Sequence, residues 1–181
     1  MLSVFSKHLP CITTEYFDFS CQVFFKVISS LPIESVQIKA IEKLPSFIIN
    51  VPDPEDRLAL SEKYFWLFLE LSENDFEGTA TPSRLTAMKS IIDLAEFPFL
   101  SDLQLFDFSQ RILILINKIW QKRQKYRDDW DKMDEDEKKD ADENVGDEDK
   151  VLLAIEDVLA SIFKKYNKRV YFIIPNVISE L

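Results

Sequence analysis

Val151-Leu152-Leu153-Ala154-Ile155-Glu156-Asp157-Val158-Leu159-Ala160-Ser161-Ile162-Phe163-Lys164-Lys165-Tyr166 is the stretch on which the fold turns. Val151, Leu152, Ile155, Val158, Leu159, Ile162 and Phe163 recur at spacings of three and four, which places them on one side of an α-helix. Asp147, Glu148 and Asp149 stand just before this run. Acidic residues there favour the positive end of a helix macrodipole, so the expected helix runs from about Asp147 to Tyr166.

Immediately upstream is the largest departure from average composition. Between Asp128 and Asp149 lie thirteen acidic residues and three lysines, a net charge of −10 that equals the charge of the whole chain. Apolar content is low here, so residues 128–149 are expected to form a disordered acidic insertion. Before it comes another amphipathic run with Leu105, Phe108, Ile112, Leu115, Ile116 and Ile119 on its buried side and Ser101 as its cap. That run ends in Lys118, Lys122, Arg123, Lys125 and Arg127, and cations suit a helix C-terminus.

Four further helices precede these. One is expected over Thr14–Ser30, with Phe17, Cys21, Phe24, Phe25 and Ile28 inward, ended by Leu31-Pro32. The next begins near Ile33 and carries Val36, Ala40, Ile41, Leu44, Phe47, Ile48 and Val51, with Pro45 expected to kink or divide it. A third covers Glu55–Leu71, with Leu60, Tyr64, Leu67, Phe68 and Leu71 inward. After a polar loop from Asn74, Thr81 and Pro82 open a fourth with Leu85, Met88, Ile91, Ile92 and Ala95 inward. The helices group as three antiparallel pairs, and an apolar stretch, Val170–Leu181, follows unpaired. Discounting the acidic insertion, the pairs repeat at about forty residues, the period of HEAT-type arrays. The expected fold is all-α: a solenoid of about three HEAT-like (armadillo-like) hairpins plus an unpaired terminal helix, with the acidic loop inside the last hairpin. A single globular bundle is the alternative. The apolar final segment lacks the polar face of a capping repeat, so residues 1–181 are expected to be a piece of a longer array or a subunit whose end is covered.

Composition narrows the classes. Glycine occurs only as Gly78 and Gly146, which disfavours a many-turned β protein or a glycine-rich phosphate loop. No apolar run approaches the ~20 residues of a membrane span, and no secretory signal pattern is visible. Cys11 and Cys21 read as reduced thiols. His8, the single histidine, stands near the N-terminus apart from any nucleophile motif, so neither a histidine-based triad nor a zinc site is expected. No enzyme activity, cofactor or metal is expected. Gly146 cannot serve an EF-hand loop, since Ala141 and Val145 would then occupy ligand positions.

The second helix reads Ser35-Val36-Gln37-Ile38-Lys39-Ala40-Ile41-Glu42-Lys43-Leu44-Pro45-Ser46-Phe47 and resembles the second helix of a HEAT repeat. From residue 100 onward the order is a long amphipathic helix, a basic segment, an Asp/Glu tract, and the Val151–Tyr166 helix. This resembles the C-terminal portion of importin-β-family karyopherins, of the type that imports ribosomal proteins and histones. The resemblance implies a segment of a nuclear transport receptor, resident in cytoplasm and nucleus, that binds basic cargo and releases it to Ran in its GTP form.

Asp134, Glu135, Asp136, Glu137, Asp140, Asp142 and Glu143 are the candidate cargo-binding residues, since a dense anionic segment attracts Lys/Arg-rich chains at long range. Trp130, among Asp128, Asp129 and Asp131, is a candidate aromatic contact: it can stack on a partner's arginine or lysine stem or fold back onto the helix pair. The basic run with Trp120 and Tyr126 is read as a helix end rather than a nucleic-acid contact, because the adjacent acids repel phosphates. Neither nucleic acid nor membrane is an expected partner. The second functional reading is a structural scaffold in which the acidic tract only solubilises.

Overall fold

The computed structural model describes residues 14–30, 33–73, 81–95 and 99–166, all-helical apart from short connections. Among the described residues there are six α-helices: α1 (Thr14–Ser30), α2 (Glu34–Ile49), α3 (Pro54–Glu73), α4 (Thr81–Leu94), α5 (Asp102–Asp129) and α6 (Glu135–Tyr166), with a 3-10 turn at Trp130–Lys132. The chain divides into two compact units after Phe99. His8, Cys11, the loop from Asn74 and the Val170–Leu181 stretch lie outside the described residues.

In the first unit, α1 and α2 form an antiparallel hairpin. The Gln37 side-chain amide donates to the Ile28 carbonyl at 2.7 Å, and the Phe24 and Phe47 rings meet with centroids 5.1 Å apart. Ala40, Ile41, Leu44, Phe47, Ile48 and Val51 are buried, the stripe that spacing assigns to them. Pro45, expected to kink or divide α2, does not divide it: the helix runs from Glu34 to Ile49 through the proline. A proline withdraws the amide that would bond the carbonyl four residues earlier, here Ile41, and Ser90 of α4 donates its hydroxyl to that carbonyl at 3.5 Å. The turn into α3 is closed by polar groups. Arg57 donates twice to the Val51 carbonyl, at 3.1 and 2.8 Å, and Asp53 Oδ1 accepts the Glu55 and Asp56 amides at 2.8 and 3.1 Å.

The buried face of α3 differs from the expected one. Ser61, Tyr64, Phe65, Phe68, Leu69 and Ser72 are buried, while Leu60, Leu67 and Leu71 are only half-buried. The serines satisfy themselves within the helix, Ser61 donating to the Arg57 carbonyl at 2.8 Å and Ser72 to the Phe68 carbonyl at 2.7 Å. A small, internally bonded hydroxyl can therefore occupy a close-packed position that apolar spacing alone gives to leucine. In α4, Ser83, Arg84, Ala87 and Leu94 join Met88 and Ile91 in the interior. Arg84 Nε donates to the Ser72 carbonyl at 3.2 Å where α3 ends. Gln37 faces Ser83 and Ile41 faces Ser90, so α2 and α4 run side by side in the same direction. Phe25, expected inward, is exposed, with the Lys63 ammonium 4.5 Å from its ring centre.

The second unit is an antiparallel hairpin of α5 and α6. Ser101 caps α5 in a reciprocal box: its hydroxyl accepts the Gln104 amide at 3.3 Å, and Gln104 Oε1 accepts the Ser101 amide at 2.9 Å. Leu105, Phe108, Ile112, Leu115 and Ile119 of α5 are buried, as are Val151, Ala154, Ile155, Val158 and Ile162 of α6. At the open end of the hairpin the Leu100 amide donates to Tyr166 Oη at 3.2 Å. In place of the expected disordered insertion, α6 begins at Glu135 rather than Asp147, and most of residues 128–149 is helical.

Candidate functional site

The acidic segment is helical because many of its charges are engaged locally. Asp134 Oδ1 accepts the Glu137 amide at 2.8 Å, and Glu137 Oε2 accepts the Asp134 amide at 3.0 Å, a second reciprocal box that starts α6. Glu135 pairs with Lys138 at 3.2 Å and Asp147 with Lys150 at 2.7 Å, one turn apart along the helix. Across the hairpin, Lys122 meets Glu148 at 3.0 Å and Arg123 meets Asp149 at 2.9 Å. Glu148 is buried, so it belongs to the helix seam rather than to a helix N-terminus. On α5, Gln124 donates to Asp128 at 2.7 Å, and Asp129 pairs with Lys132 at 3.0 Å.

Asp131, Asp136, Asp140, Asp142 and Glu143 stand exposed with none of these ties. The spacings from Asp136 to Asp140 to Glu143 are four and three, so these three carboxylates share one solvent-facing ridge over the first turns of α6. Of the seven residues proposed from sequence to bind cargo, Asp134, Glu135 and Glu137 thus hold the helix together. Asp136, Asp140 and Glu143 form the ridge, and Asp142 stands exposed one residue past the buried Ala141.

Where α5 gives way to the 3-10 turn, the two helices leave a cleft of about 320 Å³. Arg123, Tyr126, Arg127 and Trp130 line it from one side, at the spacings of a single helix face. Ala141 and Val145 line it from α6, and Asp131 and Asp142 complete its border. Trp130 is 36% exposed, enough to offer ring surface to a partner while still walling the cleft. Trp130 and Asp142 stand out in the sequence, whereas nothing there marks Tyr126, Ala141 and Val145 as parts of one site. For α5 the signal is the repeat of Arg123, Arg127 and Trp130 at four and three. Trp120, one turn before the cleft, is exposed, with the Arg123 guanidinium carbon 5.1 Å from its ring centre.

Among the described residues no three His, Cys, Asp or Glu side chains cluster as a metal-binding set, and no helix is long and apolar enough to cross a membrane. Exposed carboxylates on a helix can hold cationic side chains by Coulomb attraction that salt screens over about 10 Å. Compared with known protein families, curated proteins and solved structures, the chain matches none.

Proposed function

We propose that this chain is a protein-binding module whose α5–α6 hairpin captures Lys/Arg-rich segments of a partner. The observation that carries this reading is the ridge of Asp136, Asp140 and Glu143. These carboxylates share a face and are exposed, while their neighbours are engaged in caps and ion pairs. A helical ridge presents charge at fixed spacing, so a basic segment can engage several carboxylates without first ordering a loop.

The wider reading, a segment of an importin-β-type import receptor with HEAT-like hairpins, rests on the resemblance of residues 15–181, most specifically 100–181, to that family. The antiparallel α1–α2 hairpin and the co-directional run of α2 and α4 support its architecture. On this reading the cargo is ribosomal-protein- or histone-like, the protein works in cytoplasm and nucleus, and Ran-GTP releases the cargo. Addition of Ran-GTP to a preformed complex with a histone-tail peptide tests it directly: release supports the receptor reading, and unchanged binding counts against it.

Capture itself is tested with a labelled Lys/Arg-rich peptide titrated across a salt series. Each exposed pair contributes about 0.2–1 kcal/mol, so Asp136→Asn, Asp140→Asn and Glu143→Gln together weaken binding roughly tenfold and flatten its salt dependence. Unchanged affinity and slope would favour the scaffold reading, in which the charge only solubilises.

A further inference from the structure

We infer that the cleft at the hairpin tip is a socket for an arginine side chain, and that it makes the hairpin prefer arginine-containing over lysine-only basic segments. This rests on the capture reading above and adds a specificity site to it.

Size excludes a large ligand. At about 320 Å³ the cleft lies at the lower end of small-molecule pockets, room for one long side chain and its neighbours. The walls define what that side chain must tolerate. Tyr126 and Trp130 supply ring surface, Ala141 supplies a small buried floor, and Asp142 supplies a carboxylate on the α6 side. With Lys122, Arg123, Lys125 and Arg127 counted against the −10 of residues 128–149, the tip keeps a net charge of −6, so the occupant is a cation.

The cations already lining the cleft do not reverse that sign. The charge of Arg123 is matched by Asp149 at 2.9 Å. Arg127 is exposed and opposes an incoming cation. Between the two cationic side chains the walls discriminate. A guanidinium is planar, weakly hydrated and stacks on aromatic faces while donating to a carboxylate at its edge. An ammonium is compact and strongly hydrated, and it does as well on the open ridge as in a ring-lined cleft.

The experiment uses the full chain and short labelled peptides read by fluorescence anisotropy. One alternates Arg with Ser, a second replaces every Arg with Lys, and a third replaces a central Arg of the first with Leu. The Arg peptide is expected to bind at least about fivefold tighter than the Lys peptide. Trp130→Ala should bring the two together, Trp130→Phe should keep part of the difference, and Asp142→Asn should reduce it. Arg127→Gln should tighten the Arg peptide, a gain that no unfolding of the variant can imitate. Equal binding of the Arg and Lys peptides, or a preference that survives both Trp130→Ala and Asp142→Asn, overturns the socket while leaving capture standing. Tighter binding of the Leu-containing peptide overturns it in favour of an apolar anchor. If neither basic peptide binds, capture and socket fall together.

Discussion

The hydroxyl of Ser90 donates to the carbonyl of Ile41, the group in α2 that Pro45 leaves without its helical amide. At the turn where a buried proline removes one rung of a continuous helix, the neighbouring helix thus offers a substitute donor.

That arrangement is open to a double-mutant cycle. At 3.5 Å the bond is long, so Ser90→Ala should cost about 1 kcal/mol by urea unfolding. In a Pro45→Ala background, where the amide of residue 45 returns, the same change should cost less than half as much. Equal costs in both backgrounds would show that Ser90 acts through packing alone.

Tyr64 gives a pH signature. Its phenol donates to the Cys21 carbonyl at 2.8 Å. Burial pushes the phenol well above its ordinary value, and interaction with Cys21 pushes it the same way. The folded protein therefore keeps a proton that the unfolded chain begins to lose near pH ~10, so stability from this group is complete below that pH and declines as pH rises. Tyr64→Phe should cost about 1 kcal/mol at neutral pH. The deficit should shrink and then reverse as urea unfolding is repeated above pH ~10.

The seam pair Lys122–Glu148 should respond unequally to its two halves. Lys122 retains 30% side-chain exposure and Glu148 only 5%. Glu148→Gln leaves an ammonium that can reach water, so the expected cost is about 1 kcal/mol. Lys122→Met leaves a buried carboxylate without its ammonium and should cost about 2–3 kcal/mol. The double variant should cost less than the sum. Equilibrium unfolding monitored by helix content measures all three.

Gly146 lies inside α6, and a Cβ there would meet nothing within 4 Å. Gly146→Ala should therefore stabilise the hairpin by up to about 1 kcal/mol and raise helix content in circular dichroism. Weaker binding of basic peptides by this variant would mean that capture needs the acidic segment to loosen.

Helix placement was largely legible because apolar side chains at three and four spacings leave few alternatives, as in the Val151–Ile162 run and the Ala40–Ile48 stripe. Ser101 announced the start of α5 through ordinary capping chemistry. What periodicity could not show was the rotation of α3, because Ser61 and Ser72 occupy interior positions that a hydrophobic count assigns to Leu60 and Leu71. The acidic segment misled for a related reason. Its composition resembles disorder, yet Asp134 and Glu137 are three apart, the spacing of a capping box, and Lys122 and Arg123 come from α5 to meet Glu148 and Asp149. The cleft was half legible: Trp130 stood out among acids, but its relation to Ala141 and Val145 depends on hairpin register.

Gln37 uses both ends of one amide, donating to the Ile28 carbonyl of α1 and accepting from the Ser83 hydroxyl of α4. Apolar faces alone tolerate sliding, whereas this amide ties three helices at one point. Peeling α1 away would therefore strip the partner from a group that α4 also holds. Amide protons of α1, α2 and α4 should then exchange with solvent through a shared opening of the first unit rather than by separate fraying of each helix.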